Sequence, residues 1–272
     1  MAATASFLNP SIVRLELLAN NLPLGSATGF FLKFQNQWYL TSNWHVFSGR
    51  EPNSGQPRDK AGAVPDKIRY FTQTLNEKGL QWKENIVHLN DSNSLSPLWY
   101  QHPVGGQDFD IAVLPIEASQ IGLAKDILDV NGNDPNMFID LGHDLFLPGY
   151  PLGIASNGAM SIWKRASLAS SLEFEHGITH FFYVDTATRE GMSGAPCFAI
   201  SNWRHYSLDR SSNKMKVVEN PVSWRFLGVY SGRRNPSDGF EAQIGIVWRE
   251  LLIFEAIQAQ KKGDYVLRNK KP

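Results

Sequence analysis

The chain has 272 residues, with 26 Lys and Arg balanced by 26 Asp and Glu, and 42% of its residues are hydrophobic, enough to bury a large core. A surface without charge excess argues against binding nucleic acid or anionic lipid through bulk electrostatics, so the expected partner is a protein or peptide substrate, with no nucleic acid and no membrane. The single cysteine, Cys197, excludes an internal disulfide framework and any multi-cysteine metal centre.

From the N-terminus, apolar positions are interrupted by Asn9, Pro10, Arg14, Glu16, Asn20 and Asn21, and no basic leader precedes them. No secretory signal is evident, and no apolar run approaches the roughly 18 residues of a membrane helix, so a cytoplasmic location is expected. Next comes hairpin grammar: Phe30-Phe31-Leu32-Lys33-Phe34, then Gln35-Asn36-Gln37, then Trp38-Tyr39-Leu40-Thr41. Similar short pieces recur at 67–71, 82–89, 110–116, 144–148, 160–169, 180–184, 195–200, 226–231 and 243–247, which predicts an all-β barrel or sandwich. The segment 117–136 is looser, with a helix-like piece over 119–128 followed by a cluster of turn formers, and reads as a connection between two halves. Two long polar stretches, 49–66 and 201–221, read as loops of the size that serves function or mobility. At the end the period changes: Leu251 with Phe254, and Ile253 with Ile257, share one helical face, and Lys261 and Lys262 suit its C-terminal pole. The tail over 264–272 is expected to fray.

Chemistry concentrates in Gly191-Met192-Ser193-Gly194-Ala195-Pro196, a serine on a glycine-flanked turn. A serine hydroxyl becomes a useful nucleophile when a neutral imidazole takes its proton and a carboxylate fixes that imidazole's tautomer. His45, closing Leu40-Thr41-Ser42-Asn43-Trp44-His45, and Asp110, opening Asp110-Ile111-Ala112-Val113-Leu114, supply both in the order His, Asp, Ser. Gly191 and Gly194 allow a tight path that aims the N–H groups of Gly191 and Ser193 at a developing oxyanion. Asp108 shares the strand parity of Asp110 and competes for the orienting role. Asp185 reads as a strand-end carboxylate and Cys197 as a buried, inert thiol. His88, His102, His143, His176, His180 and His205 show no metal-ligand spacing, so no metal and no cofactor are expected.

The chain resembles the chymotrypsin-like (trypsin-fold) serine proteases, nearer to the HtrA-type protease domain of bacteria than to the digestive enzymes. The likeness rests on Gly25-Ser26-Ala27-Thr28-Gly29-Phe30, Leu40-Thr41 before His45, the run from Asp110 to Leu114, Gly149-Tyr150-Pro151-Leu152-Gly153, the serine turn, Gly228-Val229-Tyr230-Ser231-Gly232, and Ile244-Gly245-Ile246. It implies two antiparallel Greek-key β-barrels with a C-terminal helix: an N-terminal barrel over 1–118 carrying His45 and Asp110, a linker over 119–136, a second barrel over 137–248 carrying Ser193, and a helix with a basic tail over 249–272. It favours Asp110 over Asp108, since the family's acid directly precedes the apolar run. It also implies that Ser231, Gly232 and Arg233 form an edge that pairs with an extended substrate. Ala187 would lie at the base of the primary pocket, with Thr188 on its wall and Gly245 on the neighbouring strand. Nothing acidic sits there, which favours a small or medium apolar side chain; Arg189 or Arg233 turned inward would favour an acidic one.

Three departures matter. Met192 stands where zymogen-type members carry the aspartate that pairs with a new N-terminus, Ala195 replaces the usual second glycine, and the helix and tail after the second barrel are too short to form the PDZ domain of full HtrA proteases. The expected function is a serine endopeptidase working through an acyl-enzyme, gated by a regulatory protein partner or ligand that orders 188–192 rather than by zymogen cleavage. A catalytically silent protease-fold binding module is the alternative. An α/β-hydrolase esterase fails on residue order, because His205 is the only histidine after Ser193.

Overall fold

Alternating side chains organise the first half into one antiparallel sheet. Its strands are β1 (Ile12–Ala19), β2 (Leu22–Phe34), β3 (Gln37–Ser42), β4 (Lys67–Asn76), β5 (Gly79–His88), β6 (Tyr100–Gln101) and β7 (Ala112–Ile116), in the spatial order β5-β4-β1-β2-β3-β7-β6. This computed structural model describes residues 5–129, 132–172, 179–233 and 243–268. Leu15, Phe31, Leu40, Tyr70 and Leu114, from five of these strands, meet in a single core, so the sheet is rolled around its own apolar face. The second half, β8 (Asp144–Gly149), β9 (Ile162–Leu168), β10 (Phe181–Asp185), β11 (Pro196–Asp209), β12 (Lys214–Arg233) and β13 (Ile244–Arg249), closes into a barrel in the order β10-β13-β12-β11-β8-β9. Leu147, Phe182, Val184, Cys197 and Val247 fill it. The all-β, two-barrel class expected from the sequence holds, with hydrogen-bonded closure in the second barrel and a rolled seven-stranded sheet in the first.

A third core lies between the halves. Phe30 of β2 meets Phe226 of β12 edge to face at 5.5 Å, and Phe198 of β11 sits 5.7 Å from Phe226. Helix α2 (Glu250–Ala259) caps this core with Leu252, Ile253, Ala256 and Ile257, a face turned by about one residue from the predicted one. Among the described residues no helix is long and apolar enough to cross a membrane.

The N-terminal segment adds a full strand, β1, which pairs with both β2 and β4, and three local expectations are corrected. The stretch 201–221 is no loop: it is the outer part of the β11–β12 hairpin, in register from Trp203↔Asn220 to Asp209↔Lys214. Both faces of this ribbon carry polar residues, so it lacks the apolar alternation that marks a strand. The helix predicted over 119–128 is a single 3-10 turn at Ala118–Gln120. There the backbone is drawn to neighbouring strands: Leu123 N–H donates to the Gln73 carbonyl at 2.8 Å, and Asp126 Oδ1 accepts Lys33 N–H at 3.1 Å. Finally, of the tail expected to fray, residues 264–268 are held against the first half, with Val266 N–H donating to Gln107 Oε1 at 2.7 Å, and 269–272 lie outside the described residues.

Polar seams join the halves where the site forms. Thr28 Oγ1 donates to the Gly191 carbonyl at 2.7 Å and accepts Tyr150 N–H at 3.1 Å. The fully buried Tyr150 places its hydroxyl 2.9 Å from the Ile12 carbonyl and 2.8 Å from that of Ala159. Tyr150→Phe leaves these buried carbonyls short of a donor and should cost about 1–3 kcal/mol. Thermal unfolding should register this as a loss of about 2–4 °C per kcal/mol.

Candidate active site

His45 is the second residue of the one-turn helix α1 (Trp44–Ser48), entered through Asn43 in extended conformation and left through Gly49 at φ 64°. The turn swings the imidazole off the end of β3 towards Asp110, two residues before β7. Asn43 Nδ2 donates to the Asp110 carbonyl at 2.7 Å, His45 N–H to Asp110 Oδ1 at 2.9 Å, and His45 Nδ1 lies 2.7 Å from Asp110 Oδ2. Ser231 Oγ also donates to Oδ2. Asp110 is 4% exposed and His45 6%. Burial pushes the Asp110 carboxyl up, but attraction to the His45 ring and the hydrogen bonds from His45 and Ser231 outweigh it and hold the group below the usual carboxylate range. An ionised carboxylate only accepts, so Nδ1 carries a proton towards Asp110.

The serine turn is built by steric necessity. Gly191 has φ 90° and Gly194 φ 86°, and a Cβ would overlap the Tyr150 carbonyl oxygen at the first and the Thr28 carbonyl oxygen and Ser42 Oγ at the second. Backbone from both halves presses against this turn: Thr28 N–H donates to the Ser193 carbonyl at 2.9 Å, and Gly194 N–H donates to the Tyr230 carbonyl of β12 at 2.8 Å. Met192 is fully buried, and Leu152 N–H holds the Glu190 carbonyl at 2.6 Å. Met192, Gly194 and Ala195 all spend their N–H groups on backbone carbonyls, whereas among the described residues those of Gly191 and Ser193 have no acceptor. Two unspent donors therefore flank the hydroxyl. Segment 188–192 is bonded here to Thr28, Leu152 and Tyr230.

His45, Gly191 and Ser193 line one cavity of about 610 Å³, walled further by Ala27, Arg58 and Leu152. Asp110 lies behind the ring, so the three residues singled out from the sequence stand in one place. Asp108, its competitor, points away: it is exposed and carries Arg268 on both oxygens, with Arg268 Nη2 at 2.9 Å from Oδ2. Asp185 is an exposed strand end. Cys197 is fully buried and its thiol is pushed up by burial, which suits an inert core group. Among the described residues no three His, Cys, Asp or Glu side chains converge as for a metal ion; His176 lies outside the described residues.

Residues expected to bind substrate fall into two groups. The pairing of β11 with β12 ends at Pro196↔Val229, so along 231–233 no strand lies opposite β12 on that side among the described residues. A Cβ on Gly232 would stand 3.9 Å from Ser193 Oγ, which puts this edge beside the serine. Arg233 continues the strand opposite Gly245, and its side chain lies outside the described part. Ser231, expected only to meet substrate, has its hydroxyl on Asp110, a role its position in the sequence did not disclose. The primary-pocket group is Ala187, Thr188 and Gly245. Here the Tyr230 ring fills the space between two of them: its hydroxyl bonds Thr188 Oγ1, and a Cβ on Gly245 would overlap its Cε2. Ala187 is exposed, with its carbonyl accepting Lys164 Nζ at 2.6 Å, and Arg189 is exposed with Nη1 on the Thr188 carbonyl at 3.0 Å rather than turned inward. Thr28, the clamp on the serine turn, and Tyr230 were missed; both sit inside motifs the sequence made conspicuous, but their roles depend on contacts more than 30 residues away.

No protein-family model matches the chain, and no curated protein matches it in sequence. Solved structures do. The serine endoprotease from Yersinia pestis aligns at 15% identity over 94% of this chain and 64% of its own, with a TM-score of 0.50. An HtrA-type protease, AlgW, solved with a tripeptide, aligns at 16% identity over 93% of this chain and 61% of its own, with a TM-score of 0.49. The chain thus spans less than two thirds of the length of either. At this level of identity what is shared is architecture: the chain has the two-barrel fold of trypsin-like serine proteases.

Proposed function

We propose that the protein is a serine endopeptidase. What carries the reading is the buried His45–Asp110 pair at 2.7 Å, with His45 lining the same cavity as Ser193. In the proposed cycle Ser193 Oγ attacks a peptide carbonyl while His45 Nε2 takes its proton. Charge on the carbonyl oxygen is met by the idle N–H groups of Gly191 and Ser193. His45 returns the proton to the departing amine, leaving an acyl-enzyme, and the same sequence with water in place of the amine releases the acid. Asp110 stays ionised throughout, holding the tautomer and stabilising the imidazolium.

Ser231, Gly232 and Arg233 would bind the substrate backbone as an added strand. The primary pocket, built over Ala187, Thr188 and Gly245, would take a small apolar side chain, because the Tyr230 ring already occupies its depth. Control by a partner or ligand is part of the proposal, in keeping with Met192 at the zymogen position, and it would act on access or on the supports of His45 and Asp110 rather than on the pinned 188–192 segment.

A fluorophosphonate probe should label the wild-type protein and leave Ser193→Ala unlabelled; equal labelling of the two, or none of either across peptide libraries and candidate partners, would favour the silent binding module. Asp110→Asn should keep the fold and lower turnover by about ten-thousandfold, read from steady-state hydrolysis of a peptide, by removing the acceptor that fixes the tautomer. Tyr230→Val should move the cleavage preference from Ala towards Leu and Met, as mapped by mass spectrometry of digests, with a shift of roughly tenfold in relative kcat/KM.

A further inference from the structure

Past α2 the chain continues the first sheet beyond its edge strand β6. Lys262 bridges Tyr100 in antiparallel sense, Gln101 N–H donates to the Lys261 carbonyl at 2.9 Å, and Gly263 N–H donates to the Trp99 carbonyl at 3.1 Å. The next residues bond side chains that lie close in the chain to, or in contact with, the neighbours of His45 and Asp110. Asp264 is gripped by the fully buried Gln101, whose Nε2 donates to Asp264 Oδ1 and whose Oε1 accepts Asp264 N–H at 3.1 Å. The same Oε1 accepts Trp44 Nε1–H at 2.9 Å, and Trp44 precedes His45 in α1. On the other side, Gln107 Oε1 accepts Val266 N–H at 2.7 Å, and Arg268 forks onto Asp108 while its own N–H meets the Ser54 carbonyl at 2.9 Å. Gln107 and Asp108 form the 3-10 turn that leads through Phe109 into Asp110.

We propose that residues 264–268 are a positioning strap for the reaction, an inference that rests on the endopeptidase reading. Docked, the strap fixes α1 through Gln101 and the approach to Asp110 through Gln107 and Asp108, so the ring and its carboxylate are referred to one piece of chain. Its outer face is open: Tyr265, Val266 and Leu267 are 48%, 59% and 59% exposed, and Arg50 lies over the Tyr265 ring at 3.7 Å. The Arg268–Asp108 pair lies at the surface, where such pairs are individually weak, so the far end of the strap can lift first. Its release is the step through which a partner or ligand would lower turnover.

The test compares Asp264→Ala with Arg268→Ala, singly and together, and a charge exchange in which Asp108→Arg is combined with Arg268→Asp. Two readouts are taken: kcat and KM on a peptide substrate, and the His45 ring resonances followed against pH by NMR in a Ser193→Ala background. The paired alanine variant should lose about tenfold to a hundredfold in kcat with KM held within about twofold. Its His45 Nδ1–H signal should broaden and its ring titration shift, and the charge exchange should recover both relative to Arg268→Asp alone. Unchanged kcat and unchanged His45 resonances in the paired variant would overturn the strap. So would a loss that tracks a general fall in melting temperature and that the charge exchange does not repair. Wild-type protein without any Ser193-dependent hydrolysis would sink the endopeptidase reading alone, since the NMR arm still decides whether the segment positions the pair.

Discussion

A carboxylate almost sealed from water is tolerable only if its charge is met on every side. Asp110 meets that demand with the His45 ring, the His45 backbone N–H and the Ser231 hydroxyl, drawn from β12 as well as from α1. The rest of the site depends on this arrangement. The grip on two His45 atoms fixes both the helix turn and the ring plane, and the Ser231 bond ties the second barrel's edge to the first barrel's acid. The carboxylate therefore sets an imidazole tautomer and also locks the two barrels in register at the place where a substrate would lie.

The glycine turn answers the same geometry from the other side. Positive φ at Gly191 and Gly194 lets the Thr28 strand come so close that any side chain would collide, and that closeness leaves the N–H groups of Gly191 and Ser193 as the unspent donors of the turn. Thr28 serves the turn twice, by its main-chain N–H on the Ser193 carbonyl and by its hydroxyl on that of Gly191. Packing also shapes the neighbourhood of the serine turn, since Tyr230 belongs to the second barrel's core and in satisfying that core takes up room beside Gly245 and Thr188.

Much of this was legible beforehand because its signals are local. Short apolar runs separated by turn formers gave the β class, and His45, Asp110 and Ser193 stood in informative order within distinctive strings. What stayed hidden depends on distant partners. The 201–221 ribbon looked like a loop because both its faces meet solvent. The helix-like 119–128 piece yielded to bonds offered by Gln73 and Lys33. The tail looked like a solvated end because nothing in 264–268 hints at Gln101, Gln107 or Asp108, each more than 150 residues earlier. Ser231 was recognised as edge but not as a donor to Asp110, since a hydroxyl's partner is set by where the two barrels touch.

The Thr28–Ser193 contact also bears on how such a protein comes into being. Because the serine turn takes its shape against a strand made some 165 residues earlier, and the strand edge carrying Ser231 comes later still, a partly synthesised chain holds no finished site. The hydroxyl, its base and its neighbouring donors come into position only when the second barrel closes on the first. A site assembled across so long a stretch of polypeptide, if it hydrolyses peptides as proposed, would be harmless to the ribosome and to its own nascent chain until folding is nearly complete.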